Sequence, residues 1–129
     1  MHAESQAEWE IRAYQRSLAA GEVVFEPGEV GHHFYVIRSG EVELRSADPS
    51  VVEPLARLGT GDFFGEYAAM LGEQRELRAV AKQATRVLAV DRKSLESICR
   101  ESPEIALRIA RELAARLGEA FGPPSQPDS

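Results

Sequence analysis

GEVVFEPGEVGHHFYVIRSGEVEL, residues 21–44, decides the fold. A glycine stands ahead of each short run of Val, Ile, Phe and Tyr, so the chain turns, extends for a few residues and turns again. Moving outward, the same alternation continues. Strand-like runs at 23–25, 34–38, 41–45, 51–58, 78–81 and 85–90 predict a mainly β domain with flanking helices, an antiparallel jelly-roll β-barrel. Pro54 cannot donate to a ladder, which places its strand at an edge or at a bulge. The three GEV strings are unevenly spaced and read as repeated turn chemistry rather than a solenoid repeat.

On the N-terminal side, Ala7, Ile11, Tyr14 and Leu18 fall at the spacing of one helical face, which predicts a helix over residues 1–20. On the C-terminal side, Asp91 is placed to cap a helix carrying Leu95, Ile98 and Cys99, with Cys99 expected as a buried structural thiol. Ser102 and Pro103 then open a second helix with the stripe Ile105, Ile109, Leu113, Leu117 and Phe121. Glu104, Arg108, Glu112 and Arg116 form i, i+4 pairs on its wet side. The expected organisation is therefore a barrel over 21–90, helices over 91–121 belonging to the same domain, and a Pro-rich tail over 122–129.

The 129 residues carry 15 Lys plus Arg against 21 Asp plus Glu, a net charge of −6. That balance lacks the basic footprint needed to neutralise a phosphate backbone, so no direct nucleic-acid partner is expected. Cys99 is the one cysteine, which excludes an internal disulfide and a multi-cysteine zinc site and fits a reducing compartment. The N-terminus has no apolar signal-like run and the sequence has no stretch of membrane-spanning length, so a cytoplasmic location is expected.

The chemistry concentrates in LGTGDFFGEYAAMLGEQR, residues 58–75. Gly65 and Glu66 follow the aromatic pair Phe63 and Phe64, and a helical turn is expected from Tyr67, with free backbone N–H groups at its start. Arg75 is placed to swing back as a bidentate donor to an anion there, while Glu66 would repel a phosphate and suits a neighbouring hydroxyl. An acid and a base so arranged describe a sugar phosphate. An ordinary surface ion pair closing the loop is the competing account of Glu66 and Arg75.

With GEVVFEPGEVGHHFYVIRSGEVEL, GDFFGEYAAMLGEQR and then VLAVDR leading into two helices, the chain resembles the cyclic-nucleotide-binding domain family from about Gly21 to Phe121. The resemblance implies a phosphate-binding cassette over 58–75 in which Glu66 accepts the ribose 2′-hydroxyl and Arg75 neutralises the cyclic phosphate. It also implies cassette amides near Gly65 and Ala68, flanked by Phe64 and Tyr67, and a base covered by the last helix through Leu113, Leu117 and Phe121. Packing of a terminal helix against the barrel is the competing account of those three. The implied ligand is cAMP or cGMP, with no other cofactor. Where the family reads Arg followed by a small residue or hydroxyl and then Ala, this chain has Glu76 and Leu77. Glu76 opposes a phosphate by Coulomb repulsion in so far as water does not screen it, or accepts from guanine N–H groups.

His32 and His33 also suggest the first motif of the metal-binding cupins. Adjacent histidines on a strand point to opposite faces and the one other His is His2, so no metal site is expected. No Ser, His and Asp set sits on predicted strand ends, and the protein is not expected to be an enzyme. The expected function is a cyclic-nucleotide sensor that signals by moving its last helix. No helix-turn-helix follows residue 121, so the effector is expected to be another protein or domain, with homodimerisation left open. The alternative is a degenerate domain of the same fold that docks or dimerises without nucleotide.

Overall fold

The computed structural model describes residues 14–121, with side chains as far as residue 115. Eight strands are present: β1 (Tyr14–Leu18), β2 (Val23–Phe25), β3 (His33–Ser39), β4 (Val42–Ser46), β5 (Ala56–Leu58), β6 (Phe63–Phe64), β7 (Leu77–Ala81) and β8 (Thr85–Asp91). A short helix, α1 (Glu66–Leu71), interrupts them, and α2 (Arg92–Glu101) and α3 (Pro103–Phe121) follow. The strands form two four-stranded sheets, β1-β8-β3-β6 and β2-β7-β4-β5. Every pairing between them is antiparallel. This is the mainly β jelly-roll architecture that the glycine-punctuated runs predict.

Both sheets feed one core. Leu18, Tyr35, Ile37, Phe64, Val87 and Ala89 come from the first sheet, and Val24, Phe25, Val42, Ala79 and Ala81 from the second. Fully burying a large apolar side chain is worth roughly 1.5–3 kcal/mol, so this contact between sheets is the principal stabilising feature. Residues 87–90 of β8 are buried on both faces, which explains their unbroken apolar run.

The helix expected over 1–20 is corrected where it can be seen. Residues 14–18 are a strand, paired with β8 from Tyr14↔Ala89 to Leu18↔Thr85, and residues 1–13 lie outside the described part. Tyr14 and Leu18 are four apart, a spacing that keeps one face in a helix and in a strand alike. The unpaired edge of β8 decides between them. Arg16 then secures β1 to β2, its Nη1 and Nη2 donating to the carbonyls of Val24 (3.3 Å) and Val23 (3.4 Å).

Two other elements differ from expectation. The run 51–58 contributes a strand only at Ala56–Leu58, on the edge of its sheet, and Pro54 falls in the loop before it. Phe63–Phe64 is a two-residue edge strand of the first sheet, too short to show as a periodicity.

The chain divides into two compact units, Met1–Leu95 and Glu96–Ser129. The first holds both sheets and α1. Most of α2 and all of α3 fall in the second. Asp91 caps α2 as expected, its Oδ1 accepting from the backbone N–H of Ser94 at 2.8 Å. Cys99 is exposed, contrary to expectation. The buried stripe of α2 runs through Ser94, Leu95 and Ile98, and Cys99 falls beside it. In α3, Pro103 takes the first position and the Ser102 carbonyl accepts from Ile105 (2.9 Å) and Ala106 (3.2 Å).

Beneath three cations on or beside the second sheet lies a carboxylate. Glu43 is 2% exposed, with Arg45 Nη2 at 2.6 Å, Arg57 Nε at 3.4 Å and Lys82 Nζ at 3.8 Å. Burial alone would raise its carboxyl, but the Arg45 hydrogen bond and the positive charge of Lys82 outweigh that and hold it below the usual range.

Candidate phosphate-binding cassette

The turn from β6 into α1 is made by Gly65, at φ 83°. That left-handed conformation favours glycine, and space demands it as well: a Cβ at Gly65 would lie 2.9 Å from Nη1 of Arg75. The helix starts at Glu66, one residue earlier than expected. It buries Ala68 and Ala69 and leaves Tyr67 and Leu71 exposed, as a short amphipathic helix lying on a sheet should.

Arg75 returns to this turn from the far side of the cassette. Its backbone is fixed by two hydrogen bonds, from its own N–H to the Glu29 carbonyl (2.7 Å) and from Gly28 N–H to its carbonyl (2.8 Å). Val30 and Gln74 form an isolated antiparallel bridge beside them. Arg75 as a whole is 6% exposed. Nη1 donates to the carbonyl of Gly65 at 2.7 Å and Nη2 to that of His33 at 2.6 Å. Cζ stands 4.0 Å from the centre of the Phe25 ring and 6.0 Å from that of Tyr35.

A surface ion pair therefore does not describe Arg75. It is a buried cation that hydrogen-bonds to two neutral carbonyls. Burial lowers its affinity for the proton, an effect countered by Tyr35 and by the carboxylates of Glu29 and Glu66. Guanidinium carries five N–H groups, more than those two carbonyls take up. Glu66 is half-buried in the first turn of α1, close enough for its charge to act on Arg75.

Phe64 is fully buried beneath the turn and stacks on Tyr35 at 5.2 Å between ring centres. Phe64 is thus a floor of the cassette rather than one of its open walls. Glu76 is exposed and Leu77 half-buried at the start of β7. Leu113 is half-buried in α3, while the side chains of Leu117 and Phe121 lie outside the described residues.

His32 is exposed, but His33 opens β3 half-buried, its ring edge-on to Tyr14 at 5.4 Å. Burial lowers its affinity for the proton, against the pull of Asp91. Phe25, in contact with the guanidinium, was not singled out. No local signal links residues fifty positions apart. Among the described residues no cluster of His, Cys, Asp and Glu is arranged to hold a metal, and no helix is long and apolar enough to cross a membrane.

The chain is thus a two-sheet jelly roll with a short helix set between β6 and β7 and a buried arginine against the turn that opens it. Residues 15–102 match the model of the cyclic nucleotide-binding domain, and the chain belongs to that family. It is 36% identical over 109 residues to the cyclic AMP receptor protein of Thermus thermophilus, covering 83% of this chain and 50% of that protein. It is 32% identical over 117 residues to a cyclic nucleotide-gated potassium channel of Rhizobium etli, covering 90% of this chain and 31% of the channel. The crystal structure of Thermus thermophilus catabolite activator protein superposes with a TM-score of 0.79 at 31% identity, over 93% of this chain and 58% of that one. The chain thus spans half or less of these two curated relatives' length.

Proposed function

We propose that this chain is a regulatory domain that binds one 3′,5′-cyclic mononucleotide, cAMP or cGMP, and passes the signal on through its C-terminal helix. The carrying observation is the buried Arg75 guanidinium, held by neutral carbonyls beside Glu66. A buried guanidinium has more N–H groups than two carbonyls take up and can receive an anion, and a ligand phosphate supplies one. Glu66 takes the ribose 2′-hydroxyl, the amides near Gly65 and Ala68 assist the phosphate, Tyr67 borders the entrance, and Leu113 and Leu117 are the residues of α3 that close over the base. Glu76, exposed beside Arg75, discriminates between bases. The module is non-catalytic and cytoplasmic, and its effector is a protein or domain that the helix contacts.

Calorimetry with cAMP and cGMP tests this. One site per chain is expected. The absence of both binding heat and thermal stabilisation at millimolar nucleotide would overturn the proposal, because a ligand that binds only the native state must raise its stability.

One observation favours a second reading. Arg75 already fastens two segments of backbone, and a carboxylate follows it, as befits a domain that has kept the arginine for structure and docks without nucleotide. The same calorimetry separates the two.

A further inference from the structure

The guanidinium of Arg75 is flanked on both faces. Over one, the Phe25 ring centre lies 4.0 Å from Cζ, and Phe25 is itself 6% exposed. At the other is the backbone of Gly31. A Cβ built there would stand 2.7 Å from Cζ and 2.9 Å from Nε of Arg75, and 2.7 Å from Cβ of Ala68. It would meet these atoms before any of the Phe25 ring, so Gly31 lies against the opposite face. Gly31 is not among the glycines of positive φ, so what its position requires is the absence of a side chain and not an unusual backbone.

We propose that Phe25 and Gly31 are the positioning residues of the phosphate site. The inference rests on the reading that Arg75 receives the phosphate. Two carbonyls fix the guanidinium within its plane, and the ring and the glycine fix the tilt of the plane. The remaining N–H groups are then aimed before any ligand arrives. A flexible arginine would have to be ordered on binding, and holding it beforehand removes that cost. The ring contributes attraction as well as shape, since a desolvated guanidinium over an aromatic face is favourable. A leucine of similar volume would fill the space without the attraction.

The test uses the full chain, labelled with ¹⁵N, as wild type and as Phe25→Tyr, Phe25→Leu and Gly31→Ala, each checked by thermal melting. In the ligand-free protein the Arg75 Nε–Hε resonance should be displaced by the ring current. The displacement should persist in Phe25→Tyr and collapse in Phe25→Leu. Calorimetry with cAMP and cGMP should give Phe25→Tyr the wild-type affinity within about twofold, while Phe25→Leu and Gly31→Ala weaken it by about 3- to 30-fold, the range expected for losing a cation–π contact of this kind. Gly31→Ala intrudes from the other face and keeps the test open should Phe25→Leu fail to fold. An Arg75 resonance indifferent to residue 25 overturns the proposal whatever the nucleotide result, as do unchanged affinities in both weakened variants. A wild type that binds neither nucleotide, with the resonance responding as expected, overturns instead the reading of the site on which the proposal rests.

Discussion

Nη2 of Arg75 lies 2.6 Å from the carbonyl oxygen of His33, forty-two residues earlier in the chain. The same guanidinium reaches Gly65 with its other nitrogen. One side chain therefore joins the strand that enters the core and the turn that opens the cassette, before any ligand is considered.

Arg75→Ala should lower both stability and affinity. Leaving buried carbonyls without donors costs about 1–3 kcal/mol each. Losing a desolvated charge from a binding site costs roughly 2–5 kcal/mol, about one and a half to three and a half orders of magnitude in Kd. Arg78→Ala is the control, because Arg78 pairs with Glu26 at 2.7 Å with both partners more than a third exposed, where such a pair is worth about 0–1 kcal/mol. If nucleotide affinity follows Arg78 and ignores Arg75 in calorimetry, the cassette has been placed in the wrong register.

Glu66→Gln should cost less than Arg75→Ala. Gln keeps an acceptor for the ribose hydroxyl and loses the charge, the difference between a bond of about 1 kcal/mol and one of roughly 1.5–3. In that variant the 2′-deoxy nucleotide should lose most of its disadvantage. Equal discrimination by wild type and variant would assign Glu66 to the fold instead.

His33 makes stability depend on pH near neutrality. Burial holds its folded affinity for the proton below the ordinary value of 6.5, so the unfolded chain protonates first as the pH falls. The stability tied to neutral His33 is therefore complete above 6.5 and is lost as the pH drops from there through the folded value. Urea melts of wild type and His33→Gln between pH 8 and 5 should converge on the acid side. Parallel curves would show that His33 does not titrate with folding.

Glu43 acts lower on the scale, with the same sign. Its folded carboxyl is held below the ordinary 4.5, so its contribution is present above 4.5 and disappears as the pH falls through the folded value. Glu43→Gln should destabilise the protein at pH 7, and the gap from wild type should shrink as the pH falls below 4.5. A gap independent of pH would mean that shape, not charge, is what the three cations require.

Nucleotide should add protection from hydrogen exchange over residues 63–75 and 105–121, with the strands little changed. Protection spread through the strands and absent from the last helix would exclude a moving-helix output.

Much of this was legible in the sequence because the signals are local. Glycines before Val-rich runs mark turns wherever they fall, and Gly65, Glu66 and Arg75 keep their spacing in any register. Tyr14 and Leu18 misled because a separation of four satisfies both periods, and only the free edge of β8 decides. Cys99 misled because the buried stripe of α2 is narrower than its apolar composition. Phe25 and Glu43 were hidden for another reason. Phe25 acquires its cation across fifty residues, and Glu43 gathers Arg57 from the neighbouring β5 and Lys82 from the residue just after β7, so neither partnership exists until the sheets have paired.

Asp91 has one consequence beyond capping. It is the last residue of β8, it stands opposite His33 in the ladder, and α2 begins at the very next residue. The peptide that closes the last rung of the sheet is thus covalently joined to the first turn of the helix, with no linker to absorb a rotation. The rung at His33, the residue whose carbonyl holds Arg75, therefore includes the residue whose carboxylate caps α2, and the buried guanidinium and the start of that helix share a single piece of backbone ladder.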